Sequence, residues 1–344
     1  MRQGEWGQGT KILDRLLKKH LLRVIDKTVD AFEARTAALG DDVVRRVGYV
    51  VATDRLLSSV SSRTPDQLFK GVSDEYWLWL NTEGYRINAE LRGILPSLPS
   101  EYLQYVVASR TGDDTLLKAF PVYVQFRGLI ETHYRPLADC EAILDFGCDW
   151  GRITRFFIKD LAAARLWGID TWEAAVEHAK QSNRWSNFMT VNKVPPTSFD
   201  NDTFDVVFAY SVFSHLPEDL HAHWLAEFSR ILKPGGLVIA TTWGRNYIEH
   251  LESVRRGDAA PSWNELHYRK VKERFAGLEA CVAEYDRGDF CHVDLGFEGY
   301  EDYGETMISK RYVLSHWART FTVVDYIDDR ARDPQNIIVV KKGT

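Results

Sequence analysis

The stretch Ala142-Ile-Leu-Asp-Phe-Gly-Cys-Asp-Trp-Gly-Arg152 decides the fold of this 344-residue chain. It begins as a short apolar run without helical period, the pattern of a buried parallel strand. It then breaks at Gly147-x-Asp149-x-Gly151, and Ile153-Thr-Arg-Phe-Phe-Ile158 resumes with helix-compatible spacing. A strand, a glycine-bearing turn and a helix bring backbone N–H groups up to a nucleotide-like ligand. Asp145, a carboxylate at the strand end ahead of the glycines, would repel a pyrophosphate and suits a ligand that carries positive charge.

Beyond this stretch, strand and helix alternate, which predicts a parallel, doubly wound sheet. Arg165–Asp170 reads as the second strand and ends in an acid, and Trp172–Asn183 as its helix. Phe188–Asn192 reads as the third strand and Phe204–Ala209 as the fourth. Leu220–Leu232 is a helix that stops at Lys233-Pro-Gly-Gly236, and Leu237–Thr241 is the fifth strand. Tyr312–Arg319 reads as helix. Phe321–Ile327 and Asn336–Lys341 read as two last strands, made antiparallel neighbours by a short connection near Asp333-Pro334. On the N-terminal side the reading is helical. Apolar positions Ile12, Leu13, Leu16, Leu17, Leu21, Val24, Ile25, Val29 and Phe32 recur at helical spacing, with Thr10 as N-cap and Gly40 as stop. That helix either packs across its own domain or serves homodimerisation, because its stripe is sustained for about three heptads. Further helices are expected over Asp41–Val60, Tyr85–Leu95 and Leu116–Tyr134.

Composition sets outer limits. The formal charge of -6 gives no reason to expect nucleic acid as partner. No apolar run approaches the ~18 residues of a membrane span, and the N-terminus lacks the apolar core of a signal peptide. The four cysteines, Cys140, Cys148, Cys281 and Cys291, show no CxxC pairing. Neither a zinc site nor a disulfide framework is therefore indicated, and a reduced, cytoplasmic location is expected.

Asp145–Gly151, the strand-end Asp170, Phe204–Pro217 with its Ser-Val-Phe-Ser-His-Leu-Pro ending, and Arg230–Gly236 together resemble the class I S-adenosylmethionine-dependent methyltransferases. The likeness extends over about Pro96–Lys342 and is densest over 142–243. It implies an α/β, Rossmann-like, seven-stranded, mostly parallel sheet with an antiparallel last strand. The domains expected are an α-helical N-terminal region over 1–95, read from periodicity, and a methyltransferase domain over 96–344 whose insertion over 243–303 is expected to form the lid and acceptor pocket. S-adenosylmethionine is the implied cofactor and S-adenosylhomocysteine the product.

The cofactor-binding residues expected are Asp145, Gly147, Cys148, Asp149, Gly151, Asp170, Thr171, Asn192 and Ser211. Gly147 and Gly151 let backbone approach the ligand without a Cβ in the way. Asp145 attracts its ammonium, Asp170 accepts from both ribose hydroxyls, Asn192 lies near the adenine, and Ser211 with Val212 lines the methionyl end. Asp149 stands where the family prefers glycine. It tolerates left-handed backbone angles, and its carboxylate either disturbs the ligand's own carboxylate or reinforces ammonium binding.

Methyl transfer to a hydroxyl also needs the proton removed, which calls for a base or a metal. His215, just past the fourth strand, is the candidate, with a packing role as its alternative. His221 and His223 point to different helix faces and make a poor metal pair, whereas His292-Val-Asp294 puts two side chains on one face of a strand. Trp243, His267, Tyr268, His292 and Tyr303 are the expected substrate-binding residues. Aromatic faces interleaved with carboxylates suit a polyhydroxylated ligand or a cationic amine. The expected function is O-methylation of a saccharide or glycoconjugate hydroxyl. The alternatives are a small natural product as acceptor, and a scaffold that kept the fold without catalysis. An NAD-type oxidoreductase is disfavoured, because the turn lacks GxGxxG and an acid precedes it.

Overall fold

The computed structural model describes residues 40–58, 64–259, 265–296, 303–331 and 333–344. The helix expected over Thr10–Leu39, and the dimer contact it would make, lie outside the described residues. Contacts divide the chain into two compact units, 1–61 and 62–344. The described part of the first is a helix over 40–58. The N-terminal helical region expected over 1–95 is thus divided between the two units.

Nine strands are described: β1 (Ile143–Phe146), β2 (Leu166–Asp170), β3 (Asn187–Thr190), β4 (Phe204–Ala209), β5 (Leu232–Thr242), β6 (Cys291–Asp294), β7 (Gly304–Met307), β8 (Thr322–Ile327) and β9 (Asn336–Lys341). Seven form one sheet in the order β3-β2-β1-β4-β5-β9-β8. The pairs from β3 to β5 are parallel, whereas β9 runs antiparallel to both β5 and β8. The expected seven-stranded, mostly parallel sheet with an antiparallel last strand, β9, is what forms. β1 and β4 are buried over their whole length. Helices cover both faces of such strands, so their sequences read as unbroken apolar runs.

The order of the strands determines where a ligand can sit. From β1 the chain moves outward to β2 and β3, then returns to the other side of β1 as β4. The carboxyl ends of β1 and β4 diverge at this reversal and leave a crevice.

Residues 64–95 are joined to the sheet unit by polar contacts that water would otherwise satisfy. Trp77 Nε1 donates to the Phe156 carbonyl at 3.0 Å. The buried Arg155 donates to Asn81 Oδ1 at 3.3 Å and to the Pro96 carbonyl at 2.8 Å. Asp74 receives both ends of the Arg127 guanidinium, at 2.8 and 2.6 Å. Arg127 sits on the helix Asp113–His133, which carries Pro121 on its exposed face, where the carbonyl that proline leaves unbonded can reach water.

The insertion expected over 243–303 contains three helices, Arg245–Arg256, Glu265–Arg274 and Leu278–Arg287, and β6, whose antiparallel hairpin partner β7 begins just beyond it. The hairpin returns to the main sheet: the Thr306 N–H donates to the Ser214 carbonyl and the Gly304 N–H to the His215 carbonyl. The segment following β4 is thereby bonded directly to β7.

A candidate cofactor and acceptor cleft

A cleft opens at the carboxyl ends of β1, β2 and β4. Its lining includes Gly147, Asp170, Thr171, Lys193, Val212 and Tyr303, with Trp224 and Leu220 forming its apolar floor. It is built by the turn after β1. Gly147, Asp149 and Gly151 all adopt positive φ, at 75°, 54° and 80°, and the N–H groups of Gly147 and Cys148 both donate to the Ile169 carbonyl of β2, at 2.8 and 3.0 Å. A Cβ on Gly147 would stand 2.2 Å from Val212 Cγ2. The glycine is therefore required twice, for its backbone angle and for the approach of β4's end.

Asp170 stabilises this turn from the neighbouring strand. Its Oδ2 accepts the Asp149 N–H at 2.8 Å and its Oδ1 accepts the Trp172 N–H at 2.9 Å. Burial pushes its carboxyl above the usual range, so it enters the cleft as an acceptor held in place by backbone. Asp145 lies deeper. It is buried, accepts from Thr154 Oγ1 at 2.5 Å, and burial raises it to about 7.

Beside these acids are two groups whose partners are missing. Both carboxylate oxygens of the buried Asp149 lack a hydrogen-bond partner among the described residues, and so do Nε and Nη1 of the buried Arg152. Burial pushes Asp149 well above the usual carboxylate range, and the Arg152 charge opposes that shift. Orphaned buried polar atoms cost about 1–3 kcal/mol each.

Other expected cofactor residues take structural positions. Cys148 packs with Val176, Ala179 and Phe188, and Gly151 faces Phe188 across 3.1 Å from where a Cβ would stand. Asn192 is exposed, whereas its neighbours Val191 and Lys193 line the cleft. Ser211, at φ 59°, donates its N–H to Thr241 Oγ1 at 2.7 Å, and its hydroxyl receives Gln335 Nε2 at 2.9 Å. Val212 is the one of that pair that reaches the cleft.

On the acceptor side, His215 and Tyr303 come together. Their rings stack at 4.6 Å with a 12° interplanar angle. His215 Nδ1 lies 2.9 Å from the Gly304 carbonyl, which assigns the proton to Nδ1 and leaves Nε2 as the basic nitrogen, 3.5 Å from the Tyr303 hydroxyl. Glu305, fully buried, stands 3.7 Å from His215 Nδ1. His292 on β6 meets Thr306 Oγ1 at 2.8 Å, and burial lowers its pKa. Trp243 stacks flat on Tyr247 at 3.8 Å, on the lid's own core. His267 and Tyr268 belong to the helix Glu265–Arg274, and their side chains lie outside what the structure describes. His221 is a core histidine: its Nε2 meets the Phe213 carbonyl at 2.9 Å, and burial pushes it down to about 3.

Sequence reasoning missed Arg152, Glu305 and Gln335. A buried arginine one position after the glycine turn gave a signal only in its place. Gln335 reaches Ser211 across the whole domain and gave none.

Residues 143–236 match a family model described as a methyltransferase domain. That stretch is a methyltransferase domain, and in it the chain is similar to the class I S-adenosylmethionine-dependent methyltransferases. A trans-aconitate 2-methyltransferase of Azoarcus sp. is 30% identical over 128 residues, 37% of this chain and 48% of that protein. The chain thus spans about half the length of that relative. The Escherichia coli trans-aconitate 2-methyltransferase is 23% identical over 60% of this chain and 77% of that protein. Among solved structures, the geranyl diphosphate C-methyltransferase of Streptomyces coelicolor, in complex with Mg2+, geranyl diphosphate and S-adenosyl-L-homocysteine, has a TM-score of 0.42 at 15% identity. That match covers 71% of this chain and 85% of that one.

Proposed function

We propose that this methyltransferase domain transfers a methyl group from S-adenosylmethionine to a hydroxyl of a small neutral acceptor, with a saccharide or glycoconjugate as the acceptor class to test first. The observation that carries the reading is the state of His215: Nδ1–H is engaged by the Gly304 carbonyl, Nε2 is basic, and the buried Glu305 carboxylate stands 3.7 Å away.

The residues of the cleft fit the cofactor. Gly147 keeps open a cradle that a Cβ would fill. Asp170 offers carboxylate oxygens suited to ribose hydroxyls. The orphaned Asp149 and Arg152 suit the ammonium and carboxylate of a methionine end. When bound, S-adenosylmethionine supplies an electrophilic methyl group on a positively charged sulfur.

Every other part of the chemistry falls to the chain. His215 Nε2 would accept the acceptor's hydroxyl proton, and Glu305 would stabilise the imidazolium that results. Tyr303 stacks on the imidazole and fixes its orientation. The insertion over 243–303 acts as the lid that supplies this side of the pocket. A negative charge buried behind His215 disfavours anionic acceptors, and this directs the reading toward neutral hydroxyls.

A second reading follows from the trans-aconitate 2-methyltransferases, whose name points to a polycarboxylate acceptor. A carboxylate is already ionised at neutral pH and needs no base. Mass-spectrometric detection of methylated product from a panel of sugars, phenols and polycarboxylates, run with wild type and His215→Gln, separates the two. Hydroxyl methylation falling about 10²–10⁴-fold in the variant supports a general base. Methylation of carboxylates alone, at equal rates in both proteins, refutes it.

A further inference from the structure

Away from the cleft, the lid brings together residues that the sequence kept apart. Cys281 and Glu284 lie on the helix Leu278–Arg287 in an i, i+3 relation, so they share one face. That helix ends at Gly288, whose φ of 84° turns the chain back so that Cys291, the first residue of β6, faces the same point. The two thiol sulfurs and a Glu284 carboxylate oxygen all lie within 4.8 Å of one another. Both cysteines are buried, while Glu284 is half-exposed.

We propose that Cys281, Glu284 and Cys291 form a binding site for a soft divalent cation of the zinc type, with solvent as fourth ligand on the Glu284 side. Zn–S bonds of about 2.3 Å in tetrahedral array set ligand edges near ~3.8 Å. Side-chain adjustment of about 1 Å therefore closes the three donors around an ion. Two thiolates and one carboxylate favour zinc over magnesium or calcium, which take oxygen-rich shells. Binding replaces both thiol protons, which leave to solvent, with bonds to the metal, and no sulfur changes oxidation state. The cation would tie the lid helix to β6. The partner of β6 is β7, which carries the Gly304 carbonyl that orients His215, so the site is positioned to steady the acceptor side of the cleft.

The test uses the full chain, kept reduced with a phosphine and stripped with a chelator, then titrated with Zn²⁺ against a chromophoric competitor and separately with Co²⁺. One equivalent should bind, with release of about two protons and a thiolate-to-cobalt charge-transfer band. Glu284→Gln should weaken binding at least about tenfold, the scale of losing one ligand. Cys281→Ser should abolish the band, and Cys140→Ser should behave as wild type. Protection of the wild-type thiols from a maleimide by Zn²⁺ provides a reading that does not depend on any variant folding. Absence of binding to the reduced wild type overturns the proposal. So does a charge-transfer band that survives in Cys281→Ser, or a Cys281–Cys291 disulfide that forms equally fast with and without Zn²⁺.

Discussion

Replacing Gly147 by alanine should damage the protein in two separable ways. The first is backbone strain: at φ 75° an L-residue costs about 1–2 kcal/mol relative to glycine. The second is crowding. The new Cβ would stand 2.2 Å from Val212 Cγ2, far inside contact distance, and valine has little rotamer freedom with which to retreat. Overpacking of this kind costs about 1–3 kcal/mol. The sum, about 2–5 kcal/mol, corresponds to a fall in melting temperature of about 4–20 °C for a domain of this size. The two parts separate in a cycle with Val212→Ala, which removes the clashing methyl and leaves the backbone angle untouched. The double variant should be less destabilised than the sum of the single ones by about 1–3 kcal/mol. Thermal unfolding followed by circular dichroism measures the cycle, and calorimetric titration with S-adenosylhomocysteine should show its loss in Gly147→Ala. Strict additivity would mean that the end of β4 does not press on the turn after β1, and the description of the cleft would fail there.

Three further outcomes can be checked independently. Asp170→Ala removes the acceptor of two backbone N–H groups and of the proposed ribose contacts, so S-adenosylhomocysteine affinity should fall by about 1–3 kcal/mol in a protein that still folds; unchanged affinity would put the ribose elsewhere. Asp145, raised to about 7 by burial, binds its proton more tightly folded than unfolded. Its stabilising contribution is therefore present below about pH 4 and lost as pH rises through 7. Asp145→Asn should then gain on the unliganded wild type between pH 4 and 8 by a difference on the order of 4 kcal/mol, and parallel urea-denaturation curves at the two pH values would contradict this. Arg155→Met strands the acceptors on Asn81 and Pro96 and should cost about 2–4 kcal/mol of stability; a cost near zero would mean that residues 64–95 are held by apolar contacts alone.

The sheet was legible because its physics is local. β1 and β4 are buried on both faces, so Ile143–Phe146 carries the apolar signal at every position but Asp145, and Phe204–Ala209 at every position but Asp205. The turn was legible for the same reason, since positive φ selects glycine at 147 and 151 and admits aspartate at 149. β7 was not legible. Gly304-Glu-Thr-Met307 has neither alternation nor an apolar run, because buried Glu305 faces histidines brought in from other parts of the chain. The contacts of Ser211 with Gln335 and of Cys281 with Cys291 depend on how distant segments meet, and no periodicity encodes that. His215 was chosen for its place after β4. The contacts on which its proposed role as a base rests, the Gly304 carbonyl on one nitrogen and Tyr303 against the other, are supplied by a hairpin whose second strand the sequence hid.

The central claim is that the crevice between β1, β2 and β4 accepts a sulfur-bearing nucleoside and not a dinucleotide. The most direct test is calorimetric titration of the full chain with S-adenosylhomocysteine and, in parallel, with NADH. The account predicts saturable binding of the first at one per chain and no heat from the second. A folded protein that binds NADH, or binds neither, contradicts it.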